Sequence, residues 1–253
     1  MRLQDQVAVV TGGASGIGRA CALALAREGA HVAVADLNLD GALQVAVEIE
    51  QLGRKAVAQR VDATRAEDLD AFLASAEQHL GPLTIWVGSA GVSTARPFLE
   101  QGLEEWRRVM AVNVDGVVFG AQAAARRMIA RRRGSIINIA SMFGTRGIRA
   151  RMAYCVSKAA VIMSTQVMAI DLAPYQVRAN AIGPGHTDTP MLRAGVEQRG
   201  ADLDKILARV PMGRLAEPDE IAEVAVFLAS DASRFVTGHC LLADGGWAAN
   251  GSW

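Results

Sequence analysis

Short apolar runs rich in valine, isoleucine and alanine alternate along the chain with longer alanine-rich stretches of helical character. The short runs lack the strict alternation of half-exposed strands. We therefore expect strands buried on both faces, as in a parallel sheet covered by helices. The pattern predicts seven strands, at 6–12, 31–37, 55–64, 83–91, 134–141, 176–185 and 239–246.

Between these strands the pattern predicts helices, the first of them from Gly16 to Gly29 and the last at 218–229. Strands alternating with helices in this way predict a doubly wound, Rossmann-type α/β fold with a parallel seven-stranded sheet. No linker or internal repeat interrupts the chain, so we expect a single domain over 1–253. Its cofactor-binding half would cover about 1–135, and its catalytic and substrate-binding half about 136–253.

The stretch 186–215, which we call the lid, breaks the alternation of strands and helices. It is too long for an ordinary crossover loop between a strand and a helix. We expect it to be partly helical and mobile.

Composition narrows the classes of partner. Of 253 residues, 51% are hydrophobic and 21% are charged, and the 26 basic and 26 acidic side chains cancel. This balance argues against nucleic acid or an anionic membrane as the main partner. The most apolar stretch, 153–173, contains Lys158 and Asp171, so no membrane span is expected.

The three cysteines, Cys21, Cys155 and Cys240, are scattered and have no histidine at ligand spacing. This distribution argues against a disulfide framework or a metal site and favours a reducing compartment. The start of the chain also lacks the apolar stretch of a signal peptide. The expected location is therefore cytoplasmic.

A glycine-rich turn, TGGASGIG at 11–18, follows the first strand and opens the first helix. Glycine permits a tight turn and a close approach of backbone to ligand, and the start of a helix favours phosphate. Such a turn also occurs where only packing requires glycine. As a cofactor site it would involve Gly12, Ser15, Gly16, Ile17 and Gly18.

Asp36 ends the second strand, 18 positions after Gly18. This is close to the spacing at which an acidic residue bonds the adenosine ribose of a dinucleotide. A carboxylate there would repel a 2′-phosphate, and the neighbouring Ser15 and Leu37 offer no basic group to bind one. We therefore expect NAD to be preferred over NADP, although a lone aspartate could also serve as a helix cap or turn residue.

Tyr154 and Lys158 are four residues apart in the sequence YCVSK, so a helix brings them to one face. A free tyrosine has a pKa of about 10, too high for a base near neutral pH. A neighbouring lysine and a positively charged nicotinamide would favour the phenolate and lower that pKa. The same spacing arises by chance in many helices, so the interpretation depends on the cofactor site.

Taken in order, these motifs resemble the classical short-chain dehydrogenase/reductase (SDR) family over the whole chain. Further matches are VNVDG around Asn113, INIAS ending at Ser141, VDAT around Asp62, and GPGHTDT at 183–189. The resemblance implies a catalytic tetrad of Asn113, Ser141, Tyr154 and Lys158. It also implies cofactor contacts from Asp62, Ser89, Ala90, Gly91, Tyr154, Lys158, Pro184, Gly185, Thr187 and Thr189, beside those of the glycine turn and Asp36.

The tetrad's roles follow from the resemblance and from residue chemistry. Tyr154 would exchange a proton with the substrate oxygen, which the Ser141 hydroxyl would hold. Lys158 would also bond the nicotinamide ribose, and Asn113 would anchor a water that links Lys158 to solvent. One position departs from the family pattern. Ser89 stands where an asparagine is usual, and we expect altered rigidity or weaker cofactor binding there.

The substrate is less constrained by the sequence. The resemblance implies a pocket lined by Ser141, Phe143, Arg149, Tyr154 and His186, among others. Arginines suit an anionic group, although Arg146, Arg149 and Arg151 could equally face solvent or another subunit. His186 could likewise be structural. We expect oxidation of a polar secondary alcohol such as a sugar, polyol or hydroxy acid, and the alcohol can be neutral or anionic.

Two alternatives remain open at this point. One is reduction of a 3-oxoacyl thioester, usually linked to NADPH in relatives with a basic residue where Ser15 stands. The other is a non-catalytic dinucleotide-binding sensor, which would be expected to lack Tyr154 or Lys158. The resemblance also implies a homotetramer that packs the helices of 104–131 and 155–172 between subunits, with Trp253 covered by a neighbour.

Overall fold

The computed structural model describes residues 1–199 and 202–250. Their strands form one sheet, and each strand begins and ends close to where the apolar pattern predicts. The strands are β1 (Val7–Thr11), β2 (His31–Asp36), β3 (Ala56–Arg60), β4 (Leu83–Gly88), β5 (Gly134–Ile139), β6 (Val177–Pro184) and β7 (Cys240–Ala243). Trp253, for which we expect a subunit contact, lies outside the described residues.

Helices connect the strands and cover both faces of the sheet. They are α1 (Gly16–Arg27), α2 (Leu39–Gln51), α3 (Ala66–Leu80), α4 (Leu103–Met110), α5 (Gly116–Ile129), α6 (Met152–Leu172), α7 (Pro190–Arg199), α8 (Leu203–Leu207) and α9 (Pro218–Ala229). The stretch predicted as one helix over 104–131 contains a π-helical turn, Ala111–Asp115, between α4 and α5. The lid contributes α7 and α8, so its partly helical character is confirmed.

The strand order is β3-β2-β1-β4-β5-β6-β7, and every pairing is parallel. The chain starts in the middle of the sheet, builds one side and then crosses over to build the other. A crevice opens at the carboxyl ends of the strands where the order reverses, here between β1 and β4. The predicted doubly wound fold is confirmed, and its topology creates a site at this edge.

Separate hydrophobic cores on the two faces explain why the strands are apolar throughout. On one face, Leu25 of α1, Ile49 of α2 and Val226 of α9 are fully buried against the sheet. On the other, Leu73 of α3 and Ala124 of α5 are fully buried. The many alanines let the helices lie close to the sheet, and burial on both sides leaves no polar face for the strands to show.

Helix α6 has an unusual surface. Together with the turn that follows, at Met152–Tyr175, it is long and apolar enough to cross a membrane by length and composition alone. The core helix of a soluble protein passes the same test, and α6 packs against β6 and carries the buried Lys158 on its inner face. Its outer face leaves Met163, Val167 and Ile170 exposed.

Candidate active site

One cavity of about 1020 Å³ lies across the carboxyl ends of the strands, from β2 to β6. Every residue predicted from the sequence to contact a cofactor lines it. They are Gly12, Ser15, Gly16, Ile17, Gly18, Asp36, Asp62, Ser89, Ala90, Gly91, Tyr154, Lys158, Pro184, Gly185, Thr187 and Thr189. The cavity also receives Ser141, Phe143, Arg149 and His186, so one space holds the cofactor and substrate candidates together.

The glycine turn is shaped by close contacts within the protein. Gly12 has a φ of +66°, and a Cβ there would lie 2.7 Å from the backbone of Ala90. A Cβ on Gly18 would lie 2.1 Å from the carbonyl oxygen of Gly12. The sequence suggests that glycine serves the approach of a ligand, but at these two positions the neighbouring backbone already requires it. The amide groups that open α1 line the cavity as a result.

Asp36 links the glycine turn to β2. One carboxylate oxygen accepts a hydrogen bond from the amide of Ala14 at 3.0 Å, and the other accepts one from Asn38 at 2.9 Å. The helix cap of α2 is Asn38, whose side chain accepts from Gly41. Asp36 is therefore a turn residue that also lines the cavity, and its oxygens keep lone pairs for a ligand's hydroxyl groups.

The end of the cavity near Asp36 is formed by Leu37, Asp62, Ala63 and Thr64. The Asp62 carboxylate accepts hydrogen bonds from the hydroxyl and the amide of Thr64, which lower its pKa below the ordinary value. These lining residues include two acids and no lysine or arginine. Beyond the cavity wall, the charges of Arg65 and Arg60 also act on Asp62.

Lys158 and Tyr154 lie on adjacent turns of α6 and face the cavity. The Lys158 ammonium is 5.8 Å from the centre of the Tyr154 ring and donates a hydrogen bond of 2.7 Å to the carbonyl oxygen of Ile139. The Ser141 hydroxyl is close enough to the Tyr154 phenol to lower the pKa of that phenol. The end of β5 and the face of α6 thus hold three polar groups around one point of the cavity.

Burial acts oppositely on the two titrating groups. It lowers the pKa of Lys158 to about 8, because the ammonium is poorly solvated. It raises the pKa of Tyr154, and the Ser141 hydroxyl and the charge of Arg151 offset only part of this effect. The sequence predicts that Lys158 and a positively charged nicotinamide together lower the tyrosine pKa. In the protein alone, desolvation of the phenol outweighs the nearby charges.

Asn113, the remaining residue of the predicted tetrad, does not line the cavity. It is fully buried on the π-helical turn, and its side chain exchanges hydrogen bonds with the backbone of Val92 at 2.8 and 2.9 Å. Its amide also donates to the Ser157 hydroxyl at 3.0 Å, which donates in turn to the carbonyl oxygen of Tyr154 at 2.8 Å. The Asn113 side chain therefore forms a hydrogen-bonded link between Val92, in the loop after β4, and α6.

Ser89, the departure from the family pattern, follows β4 and donates its backbone amide to the carbonyl oxygen of Thr11 at 3.2 Å. This bond continues the pairing of β4 with β1 by one residue, so the backbone keeps its position with a serine there. The preceding residue is Gly88, and a Cβ there would lie 3.1 Å from both the Trp86 Nε1 and the Asn138 Oδ1. These two buried atoms have no hydrogen-bond partner among the described residues.

An aromatic cluster closes the end of the cavity that contains the substrate candidates Phe143 and His186, which we call the substrate end. The Phe143 ring meets His186 and Trp247 edge to face, with centroids 5.7 and 5.2 Å apart. Burial, helped by the charges of Arg151 and Arg209, lowers the pKa of His186 to about 4, so its imidazole is neutral at pH 7. His186 is thus both a packed ring and a neutral polar group on the cavity wall.

The three arginines of the 146–151 segment have different environments. Arg149 lines the cavity, and Arg151 lines it while donating to the Ser93 hydroxyl at 2.7 Å and the carbonyl oxygen of Thr94 at 3.1 Å. Arg146 donates to the carbonyl oxygen of Thr145 and is not part of the wall. The solvent-facing interpretation therefore suits Arg146 best.

Sequence reasoning missed two residues at this end of the cavity. The Arg209 guanidinium stacks on the Trp247 ring at 4.8 Å from its centre, and both residues line the cavity. Arg209 lies in the lid, which carries no motif that singles it out. Trp247 directly follows the glycine pair that ends the last predicted strand. A large aromatic side chain at this edge of the sheet could have indicated that it lines the cavity.

Comparisons with known proteins agree with this geometry. Residues 12–248 match the family model described as enoyl-(acyl carrier protein) reductase. The chain is 39% identical over 254 residues to 2-(S)-hydroxypropyl-CoM dehydrogenase 3 of Xanthobacter autotrophicus, with 98% of both proteins covered. It is also 39% identical over 247 residues to cis-4-hydroxycyclohexanecarboxylate dehydrogenase of Sinomonas cyclohexanicum, with 97% of both covered.

A solved structure gives the same result for the fold. The crystal structure of a short-chain type dehydrogenase/reductase from Mycobacterium marinum superposes with a TM-score of 0.91 at 38% identity. The match covers 97% of this chain and 96% of that one. The family match extends over nearly the whole chain, including the glycine turn, Tyr154 and Lys158. This chain therefore belongs to the classical short-chain dehydrogenase/reductase family, whose dehydrogenases use nicotinamide cofactors.

Proposed function

We propose that this protein is an NAD-dependent oxidoreductase that interconverts a secondary alcohol and a ketone, with Tyr154 as the acid or base. The observation that carries the proposal is the arrangement of Ser141, Tyr154 and Lys158 around one point of a cavity that also contains the glycine turn. A proton-transfer group and a dinucleotide-shaped crevice are what hydride transfer to or from a carbonyl carbon requires.

The residues of the cavity suit a dinucleotide. The open amides at the start of α1 would bind its pyrophosphate, and Asp36 would bind the adenosine ribose hydroxyls. The two carboxylates near that ribose support NAD over NADP. When bound, NAD supplies the hydride acceptor and, in its oxidised form, a positive charge near Tyr154.

The chain's own residues would handle the proton. The Ser141 hydroxyl holds the substrate oxygen beside the Tyr154 phenol, and the phenolate accepts the hydroxyl proton as the alcohol is oxidised. Lys158, fixed by its bond to the Ile139 carbonyl, keeps a cation beneath the phenol and can reach a ribose hydroxyl. Asn113 acts through Ser157 on the Tyr154 backbone, so in this account it is a positioning residue.

The substrate would be a small polar secondary alcohol. Support comes from the mixed wall of the cavity, where Phe143 and Trp247 lie beside His186 and the arginines. The named relatives include dehydrogenases whose names give a secondary alcohol, one of them a hydroxycyclohexanecarboxylate. A sugar, polyol or hydroxy acid would fit this description.

We also infer a cytoplasmic homotetramer. The free thiols of Cys21, Cys155 and Cys240 suit a reducing compartment. Apolar side chains lie exposed on two neighbouring helices, Phe119 on α5 and Met163, Val167 and Ile170 on α6. A second copy of the chain would cover this face, which we call the α5–α6 face.

The test is NAD reduction, followed by absorbance, across sugars, polyols, hydroxy acids and 3-hydroxyacyl thioesters, with NADP in parallel. We expect turnover of at least one secondary alcohol with NAD and a lower rate with NADP. Turnover of the thioesters alone, with NADP, would favour a 3-oxoacyl thioester reductase. Binding of NAD without turnover of any alcohol or ketone would favour a sensor and overturn the proposal.

A further inference from the structure

The substrate end of the cavity carries an excess of positive charge. Its wall includes Arg149, Arg151, Lys205 and Arg209, whereas Asp202 is the carboxylate that lines it there. The formal charge of the whole chain is zero, so this excess is local. A wall of one charge sign concentrates ligands of the opposite sign.

Two of the four cations already have partners. Arg151 donates to Ser93 and Thr94, which fixes the loop that follows β4. Lys205 pairs with Asp202 at 3.2 Å, so the carboxylate neutralises a neighbour on its own helix. Arg151 keeps its positive charge, because both of its acceptors are neutral, but these bonds fix its guanidinium in place. The wall therefore also carries the positive charges of Arg149 and Arg209.

Arg209 is held in place without being neutralised. Its guanidinium lies 4.8 Å from the centre of the Trp247 ring, a cation–π contact that orients the group and leaves its N–H donors unused. Among residues 1–199 and 202–250, neither Arg149 nor Arg209 forms a side-chain hydrogen bond or ion pair. Planar guanidinium groups with free donors are suited to carboxylate and other oxyanions.

Apolar side chains also line this wall. Phe143 and Trp247 form an aromatic surface, and Ile148, Met191 and Leu192 also line the cavity. The positive charge of Arg209 also reaches His186, which is uncharged at neutral pH and therefore adds no competing cation. The end of the cavity thus combines an apolar surface for a carbon skeleton with two cations for a terminal charge.

We propose that the substrate is an anionic secondary alcohol, in which an apolar body separates the reacting hydroxyl from a carboxylate or similar oxyanion bound by Arg209 and Arg149. The inference rests on the proposed function for the reacting end, but the anion site can be tested without any reaction. It narrows the substrate class from polar alcohols in general to hydroxy acids with a hydrophobic spacer.

The test uses ligands that cannot react. Isothermal titration would measure the binding of cycloalkane and straight-chain carboxylates of four to ten carbons, with and without NAD, against amides of identical skeleton. Arg209→Gln and Arg149→Gln would be compared with Arg146→Gln, a matched control on the same segment that does not line the cavity.

We expect at least one carboxylate to bind about 10-fold or more tightly than its amide. Arg209→Gln should remove most of this preference, and Arg149→Gln part of it, whereas Arg146→Gln should leave it unchanged. Equal binding of acids and amides, or an unchanged preference in both cavity variants, would overturn the anion site. Because no turnover is needed, failure of the proposed reaction would show separately as absent NAD reduction with hydroxy acids that do bind.

Discussion

The Lys158 ammonium lies 5.8 Å from the centre of the Tyr154 ring, one turn along the same helix, and is fixed by the carbonyl oxygen of Ile139 at 2.7 Å. Burial shifts the pKa values of the two groups in opposite directions, lowering that of lysine to about 8 and raising that of tyrosine. Both shifts favour the neutral forms. Formation of the phenolate therefore requires more positive charge than Lys158 brings, and an oxidised nicotinamide would provide it.

The first prediction concerns Lys158 and stability. Its folded pKa of about 8 lies below the ordinary lysine value of 10.5, so between these pH values the unfolded chain binds more protons than the folded one. Burial of Lys158 should therefore contribute a rise of about 2 kcal/mol in the free energy of unfolding between about pH 7.5 and 9.5. The buried thiols of Cys21 and Cys240, whose pKa values are raised, act in the opposite direction in this window, and they do so in both proteins. Denaturant unfolding would measure the Lys158 contribution as the difference between the wild type and Lys158→Met.

The matched control is Lys55→Met, which removes an exposed lysine. It should keep the pH dependence of the wild type, and Lys158→Met should lack the rise that Lys158 contributes. Parallel pH profiles for wild type and Lys158→Met would show that Lys158 is not destabilised by burial.

The second prediction concerns cofactor choice. Asp36→Asn keeps the size of the side chain and an acceptor for the Ala14 amide but removes the negative charge. We expect kcat/KM with NAD to fall about 10-fold and the ratio of NADP to NAD activity to rise, because a 2′-phosphate is no longer repelled. Asp40→Asn, on the exposed first turn of α2, should change neither value. If Asp36→Asn leaves the ratio of NADP to NAD activity unchanged, Asp36 does not determine the choice between the two cofactors.

The third prediction concerns the hydrogen-bonded link from Asn113 through Ser157 to Tyr154. Ser157→Ala leaves one Asn113 N–H without its buried partner, which should cost about 1–3 kcal/mol of stability. Because Tyr154 loses a backbone anchor, kcat should fall more than cofactor affinity. Ser164→Ala, on the same helix, is the control. Loss of stability with an unchanged kcat would mean that this hydrogen-bonded link supports the fold but does not position Tyr154 for catalysis.

The fourth prediction concerns assembly. Ile170 is 73% exposed on the α5–α6 face, and Ile170→Glu would introduce a charge there. We expect light scattering at micromolar concentration to show a tetramer for the wild type and a smaller species for this variant. Val47→Glu alters an apolar side chain of α2 that is 51% exposed and should remain tetrameric. A monomeric wild type would refute the homotetramer.

The fold could be predicted from the sequence because the same physical constraint acts on every strand. Burial on both faces demands continuous apolar runs, and the helices between them fix the parallel pairing. The glycine turn and Asp36 could be located because they directly follow strands whose carboxyl ends meet at one edge. The order of the motifs along the chain was enough to predict that Tyr154 and Ser141 lie at that edge.

What the sequence could not predict depends on packing in three dimensions. The burial of Asn113 follows from the π-helical turn, which has no simple signature in the sequence. The stacking of Arg209 on Trp247 joins the lid to the end of the chain, 38 positions apart. The raised pKa of Tyr154 reflects how deeply the phenol is buried, a quantity that the motif does not carry.

The most direct test of the account is Tyr154→Phe, which removes one oxygen atom and keeps the ring over Lys158. Titration should show NAD bound as tightly as in the wild type. Turnover of the best alcohol substrate should fall by about 100-fold or more, since the variant lacks the hydroxyl that exchanges the proton in the proposed mechanism. Turnover at the wild-type rate would contradict the assignment of Tyr154 as the acid or base, and with it the proposed mechanism.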